Sequence, residues 1–335
     1  MRVTRRDVAR YANVSEQTVS YILNNKRQFS QEITDRVRNA VEALNYKPDV
    51  IARSMSKKST KSLCIIVNDI SNPLFGEIIR AFEKSATKSG YFISFIDVNS
   101  DFRTHALNLI SRRIEGVYVS LIPSLDTAEF IEELLDAGIK VVVGDNVFAD
   151  HQKINENAVV VNVDHSEGMR EALEYLKKTG RSNVAYLSGL DINSDTDYRY
   201  KYFVDQHREI FGKESVVIEN EFPFSTQVED GYRLMDKLFS SGYPCDSIIC
   251  TNDLIAYGAI ESIKKHGKTV GTDIGVIGID DIFFSKYLDP PLTTIGFDKS
   301  WYGKNIFKKL SDYIEHDIKP ASLTVSSYLV IRKST

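Results

Sequence analysis

Cysteine is scarce in this chain of 335 residues: Cys64, Cys245 and Cys250 are scattered, odd in number and form no CxxC. That excludes a disulfide framework or a structural zinc site and suits a reducing compartment. No apolar run approaches the length needed to cross a bilayer, and MRVTRRDVARYA lacks the apolar stretch of a secretory leader. The expectation is a cytoplasmic protein without a membrane partner. Catalytic and nucleotide-binding signatures are missing too. GxGxxG, HExxH and GxSxG do not occur, and the six histidines show no ligand spacing. HGKT at 266–269 resembles part of a phosphate loop, but Ser262 stands where that loop needs glycine. Asp280 and Asp281 are adjacent, and neighbours on a strand end point to opposite sides, which is poor geometry for an acid/base pair. The reading is therefore not an enzyme, with no cofactor and no metal.

What is present is a folded composition, 42% hydrophobic and 26% charged, in a chain long enough for two or three domains. The formal net charge of −4 hides an asymmetry. Residues 1–61 carry 13 Lys+Arg against 6 Asp+Glu, a charge of +7, and the remainder carries −11. A basic head on an acidic body is the footprint of a molecule that grips phosphate at one end.

The head has a core pattern as well as charge. Thr4 can cap a first helix in which Val8, Ala9 and Ala12 share a face. Asn13 stands where the turn needs a left-handed residue, a conformation that Asn tolerates better than most. Ser15 can cap a second helix that turns Val19, Ile22 and Leu23 inward and leaves Glu16, Gln17, Ser20 and Tyr21 outside. Ser30 can cap a third, with Ile33, Val37, Val41 and Leu44 inward. Three short helices with a polar outer face on the second make a helix-turn-helix module that reads a major groove. Arg2, Arg5, Arg6, Lys26, Arg27, Arg36 and Arg38 are candidates for phosphate contact. Pro48 can open a further short helix carrying Ile51, Ala52 and Met55, before the linker-like SKKST. Such a helix is too short to stand alone and needs a partner to order it.

VTRRDVARYANVSEQTVSYILNNK followed by NYKPDVIARSM resembles the DNA-binding head of the LacI/GalR family of bacterial transcriptional regulators. The resemblance implies DNA contact by Thr4, Ser15, Glu16, Gln17, Thr18, Ser20, Tyr21, Asn24 and Lys26. It also implies a hinge helix over 50–56 that enters the minor groove through Ile51, Ala52 and Met55, with Met55 as an apolar wedge. Tyr21 stands where many members carry Arg, and Met55 where most carry Leu.

From residue 62 strand-like runs (SLCIIV, YFISFI, GVYVSL, KVVVG, AVVVNV, NVAYLSG, SVVIE, DSIICTN, DIGVIGI) alternate with amphipathic segments. That pattern predicts parallel sheets covered by helices, and about ten strands call for two doubly wound lobes. NDISNPLFGEIIRAFE, TGRSNVAYLSG, ICTNDLIAYGAI, DIGVIGIDDI and DPPLTTI carry the family resemblance through the body. The implied fold class is α/β: a head at 1–47, a hinge helix and linker at 48–61, and a periplasmic-binding-protein-like body at 62–335. Three crossovers would give a first lobe of about 62–161 plus 292–320 and a second of about 162–290 plus 321–335. The resemblance places an effector in the cleft against Leu74, Phe75, Asp145, Arg199, Asn252 and Asp280, with Phe224 and Phe297 as further aromatic candidates. Tyr202 replaces a glycine that usually follows the arginine, and Phe297 replaces a residue that is often polar.

The implied function is a homodimeric repressor of carbohydrate-utilisation genes on a palindromic double-stranded DNA operator, controlled by a sugar or sugar phosphate. The alternatives are control by a non-sugar effector or a protein co-regulator, or a solute-binding protein, against which residues 1–61 argue.

Overall fold

The computed structural model describes residues 3–24, 26–47, 59–98, 101–121, 124–144, 151–192, 198–221 and 225–335. The chain divides into two compact units, Met1–Thr60 and Lys61–Thr335. The expected hinge helix, with Ile51, Ala52 and Met55, lies outside the described residues.

In the first unit α1 (Arg5–Tyr11), α2 (Glu16–Leu23) and α3 (Gln31–Ala43) pack around Val8, Ala9, Ala12, Val19, Val37, Ala40 and Tyr46. Each start has a local cause. Thr4 Oγ1 accepts from the Asp7 amide at 3.3 Å, and Asp7 Oδ2 accepts from the Thr4 amide at 2.9 Å, a reciprocal box. Thr4 Oγ1 also donates to Asp7 Oδ2 at 2.6 Å, and this bond, together with that from the Thr4 amide, holds the Asp7 carboxyl below its ordinary pKa. Ser15 Oγ accepts from the Thr18 amide at 3.0 Å and Ser30 Oγ from the Ile33 amide at 3.4 Å. Asn13 takes φ +50° in the tight turn, the left-handed geometry expected of it. Arg36 departs from its expected phosphate role. Its guanidinium donates to the Ala12 carbonyl at 2.6 Å and the Asn13 carbonyl at 2.9 Å, which satisfies the end of α1.

The second unit contains two six-stranded sheets. In chain order its elements are β1 (Ser62–Val67), α4 (Pro73–Lys88), β2 (Phe92–Asp97), α5 (Phe102–Ser111), β3 (Gly116–Ser120), α6 (Leu125–Asp136), β4 (Lys140–Gly144), α7 (Gln152–Asn157) and β5 (Val159–Asp164). There follow α8 (Ser166–Lys178), β6 (Val184–Ser188), α9 (Tyr198–Phe211), β7 (Val216–Glu219), α10 (Val228–Ser240), β8 (Ser247–Cys250) and α11 (Asp253–Lys265). The chain ends with β9 (Gly275–Ile279), β10 (Thr293–Gly296), α12 (Lys299–His316), β11 (Leu323–Ser326) and β12 (Tyr328–Val330). The first sheet runs β11-β5-β4-β3-β1-β2 and the second β12-β10-β9-β8-β6-β7. Every described pairing is parallel except β10 with β12. The inner strands β1, β3, β4, β6, β8, β9 and β10 are buried on either side, whereas the edge strand β2 leaves Phe92 and Phe95 exposed. In β1, Leu63, Ile65 and Val67 join one core and Cys64 and Ile66 the other.

The expected lobe boundaries need correction. β5 continues to Asp164, so the first crossover comes after 161. β10 pairs Thr293 with Ile277 of β9 and belongs to the second lobe, whereas the expected first lobe includes 292–320. β11 pairs Leu323 with Val161 and belongs to the first lobe, whereas the expected second lobe includes 321–335. The chain therefore changes lobe after Asp164, after Gly296 and between Ser326 and Tyr328. Pairing partners far apart in sequence decide this, and strand propensity carries no record of them.

Close approach of α10 and α11 shapes one face of the second lobe. A Cβ on Gly258 would stand 1.8 Å from the Val228 carbonyl oxygen, and one on Gly231 2.0 Å from that of Ile255. Backbone cannot yield as a flexible side chain can, so Gly258→Ala should destabilise the protein by about 2–3 kcal/mol or more. Urea unfolding followed by circular dichroism measures this; a loss below about 0.5 kcal/mol would mean that the two helices part freely.

Candidate functional site

Two sites take shape, one on each unit. On the first, α2 buries Val19 and turns Glu16 and Gln17 to solvent, with Ser20 and Tyr21 half-buried. Gln17 Nε2 donates to Tyr21 Oη at 2.8 Å, one turn along the same face. The two side chains thus form one polar ledge in which an amide and a phenol orient each other. Asn24 Nδ2 donates to the Ser20 carbonyl at 2.6 Å and closes the helix end, while Thr18 Oγ1 lies 2.9 Å from Ser15 Oγ. Thr4, Ser15, Thr18 and Asn24 therefore hold the helices in place. Glu16, Gln17 and Lys26 are exposed, and Tyr21 is half-buried beside them.

On the second unit a cavity of about 200 Å³ opens between the two lobes. It sits where parallel strands end, as open α/β sheets dictate, because all the turns that follow parallel strands emerge on one edge. Asn68 and Asp69 follow β1, Asn72, Leu74 and Phe75 begin α4, and Asn162 lies on β5. From the other side come His165 at the first crossover, Tyr198 and Arg199 on α9, Asn252 before α11 and Asp280 after β9. Phe297 and Tyr302 flank the second crossover, their rings edge-to-face with centroids 5.4 Å apart. Leu74, Phe75, Arg199, Asn252, Asp280 and Phe297 thus converge on one space. Asp145 and Phe224 lie outside the described residues.

The polar groups differ in what they have left to offer. Asn252 Oδ1 accepts from the Ile255 amide at 2.9 Å, and its Nδ2 donates to the Thr226 carbonyl at 3.3 Å. It caps α11 and shapes the wall. Asn72 similarly caps α4 by accepting from the Leu74 amide at 3.0 Å. Tyr302 donates to the Val161 carbonyl at 2.9 Å. Asp69 accepts from Gln227 Nε2 of the opposite lobe at 2.7 Å, so one bond spans the cavity's rim. Asp280 is buried with φ +110°, a backbone geometry that non-glycine residues rarely adopt.

The sequence reading missed His165, Asn68, Asp69, Asn162 and Tyr198. Each lies within four residues of a strand end or at the start of a helix that follows one, and that position was the available signal. His165 is the most unusual. Its Nδ1 is enclosed and has no hydrogen-bond partner among the described residues. Burial, aided by the Arg199 charge, holds its pKa down at about 3.

Searches against known proteins agree with this architecture. The profile of the bacterial regulatory proteins, lacI family, matches residues 4–49, and that of the periplasmic binding protein-like domain matches residues 173–335. The HTH-type transcriptional repressor PurR of Mannheimia succiniciproducens is 31% identical, covering 99% of this chain and 98% of its own. The lac repressor dimer bound to operator and the anti-inducer ONPF superposes with a TM-score of 0.84 at 24% identity, covering 100% of this chain and 99% of its own. A LacI family transcriptional regulator from Enterococcus faecium with bound ribose gives 0.69 at 21% identity, over 82% of this chain and 98% of its own.

The state of His165 sets a pH dependence. Its folded pKa lies below the unfolded value of about 6.5, so the unfolded chain takes up the proton first as pH falls. The stability contribution is complete above pH 6.5 and declines below it by up to about 1.4 kcal/mol per pH unit. The difference in unfolding free energy between wild type and His165→Asn should therefore shift by up to about 2 kcal/mol between pH 7 and pH 5. A difference that stays constant with pH would mean that the ring is solvated.

Proposed function

The chain belongs to the lacI family of bacterial regulatory proteins, and from that premise we propose how its two sites divide the work of a DNA-binding transcriptional repressor. It is not an enzyme. The polar ledge of α2 reads base edges, and a two-fold dimer of the chain sets two such helices on a palindromic operator in the cytoplasm. The interlobe cavity receives the small molecule that controls operator affinity.

The observation that carries the effector reading is the chemistry of that cavity. Arg199 and Asp280, with amides from Asn68 and Asn162, surround a volume of about 200 Å³ whose walls include Phe75 and Phe297. Carboxylate, amide and guanidinium groups suit vicinal hydroxyls, and an aromatic ring covers the apolar face of a sugar. The volume fits one ring and leaves little room for two. We take the effector to be a monosaccharide or its phosphate and the regulated genes to serve carbohydrate use. Ribose, which the Enterococcus faecium regulator holds, is a fitting first probe. A second reading, a planar heterocycle, is favoured by the further aromatic walls, Tyr118, Tyr198 and Tyr302.

A thermal-shift panel of monosaccharides, their phosphates and planar heterocycles on the full chain separates the two readings. A ligand at 100 times its Kd should add about 2.7 kcal/mol of stability. Arg199→Ala and Asp280→Ala should each remove the effect of the best ligand on operator affinity, at a cost of about 1–3 kcal/mol or more in ligand binding. Operator affinity without ligand should stay as in wild type. Variants that respond as wild type does would move control to a protein co-regulator. At the other site, Gln17→Ala should cost about 1–3 kcal/mol at one base pair and leave the others alone. An unchanged consensus after selection on a randomised operator would overturn the assigned register.

A further inference from the structure

Lys299 is the first residue of α12 and yet is only 8% exposed. A buried ammonium at a helix N-terminus is doubly unfavourable, because it loses hydration and faces the positive end of the helix dipole. Something must offset both costs. Its Nζ donates to the carbonyl of Asp280 at 2.7 Å and to that of Asp281 at 2.6 Å. Those two residues have φ +110° and +49°, two successive non-glycine residues in the positive-φ region. The corner they form is held from other directions as well. Arg332 Nη2 donates to Asp281 Oδ1 at 2.5 Å, and a Cβ on Gly296 would stand 2.7 Å from Asp281 Cβ, so only glycine fits beneath.

Lys299 and the corner belong to different lobes. Asp280 and Asp281 follow β9 of the second sheet, whereas α12 packs on α4 of the first lobe so closely that a Cβ on Gly303 would meet the Ile78 carbonyl oxygen at 2.3 Å. The chain changes lobe between Gly296 and Lys299. The Lys299 ammonium therefore reaches back across that hinge and grips the backbone whose side chain, Asp280, lines the cavity. It also lies 5.6 Å from the ring of Phe297, another cavity wall.

We propose that Lys299 is a positioning residue that fixes the Asp280–Asp281 corner, so presenting Asp280 to the effector and tying that contact to the first lobe. This rests on the reading of the cavity as the effector site. An ammonium suits the task because it donates to two carbonyls at once.

The test uses the full chain as wild type, Lys299→Met and Lys299→Arg. Methionine keeps the apolar stem and loses the donors, and arginine restores them. Hydrogen exchange without any small molecule should be at least about ten-fold faster over 279–283 in Lys299→Met, within about three-fold of wild type in Lys299→Arg, and unchanged over 62–67. Unchanged exchange over 279–283 overturns the proposal, and so does equal acceleration over 62–67, which would make Lys299 a general stability residue. D-ribose is then titrated against the emission of Trp301, the only tryptophan of the chain, two residues from Lys299. Binding at least about ten-fold weaker in Lys299→Met and recovered in Lys299→Arg supports presentation of Asp280. Equal ribose affinity in all three, with exchange altered, overturns presentation and leaves the cavity reading intact. If ribose binds none of the three, the carbohydrate reading loses its first probe, and the exchange result alone upholds or overturns the clamp.

Discussion

The buried carboxylate of Asp253 is the point on which the second lobe's half of the cleft depends. It sits in the first turn of α11 and accepts from Thr294 Oγ1 of β10 at 2.6 Å, Ser285 Oγ at 2.6 Å and the Ile282 amide at 2.9 Å. Burial still outweighs those three donors and lifts its pKa to about 6. One side chain thereby joins a helix start, a strand and the loop that leaves Asp280 at the cavity. A Cβ on Gly278 would come within 2.1 Å of Asp253 Oδ1, so the strand before that loop is glycine at this point to admit the carboxylate. A buried acceptor that loses one partner costs about 1–3 kcal/mol, which couples the loop's geometry to the integrity of the core beneath it.

Parallel pairing then explains why the cavity draws on so many separate segments. Each strand contributes its end at the same edge, and the next helix begins there with backbone N–H groups unpaired. Asn72, Asn252 and Asp298 cap helices at that edge, the last by accepting from the Trp301 amide at 2.8 Å. Capping requirements and ligand requirements therefore favour the same short polar residues at the same places. Asn252 illustrates the overlap, because both of its polar atoms serve the protein while its surface still lines the cavity.

This overlap also explains what could be read in advance. Periodicity identified the strands from SLCIIV to DIGVIGI because parallel strands buried on both faces leave apolar runs. Caps such as Thr4, Ser15 and Ser30 were legible because their bonds lie three residues away. Arg36 was not, since its acceptors are 24 and 23 residues distant and guanidinium groups look alike in a sequence. The sheet membership of β10 and β11 was hidden for the same reason: Leu323 pairs with Val161, across 162 residues. In the cleft, Leu74, Phe75, Arg199, Asn252, Asp280 and Phe297 came from the family resemblance, and the structure brings them together. His165 offered no such mark, since a histidine becomes unusual only through what encloses it.

The strength of the interlobe contacts bears on whether a small molecule can control the whole chain. Asp69 accepts from Gln227 Nε2 at 2.7 Å, and Glu77 Oε1 accepts from the Phe283 amide at 2.7 Å, both between lobes and away from the crossovers. Hydrogen bonds to charged groups are worth about 1.5–3 kcal/mol each, and less where water competes, as at the exposed Phe283 amide. Their sum is of the same order as the roughly 5.5 kcal/mol that takes a two-state equilibrium from 1:99 to 99:1. Asp280 and Asn68 line the cavity from opposite lobes, so on the proposed reading a ring-sized ligand bridging them supplies a differential affinity of that size. A much larger dry interface between the lobes would hold one arrangement against any ligand that fits 200 Å³. On the proposed reading, these two polar bonds away from the crossovers leave the lobe angle within reach of an effector.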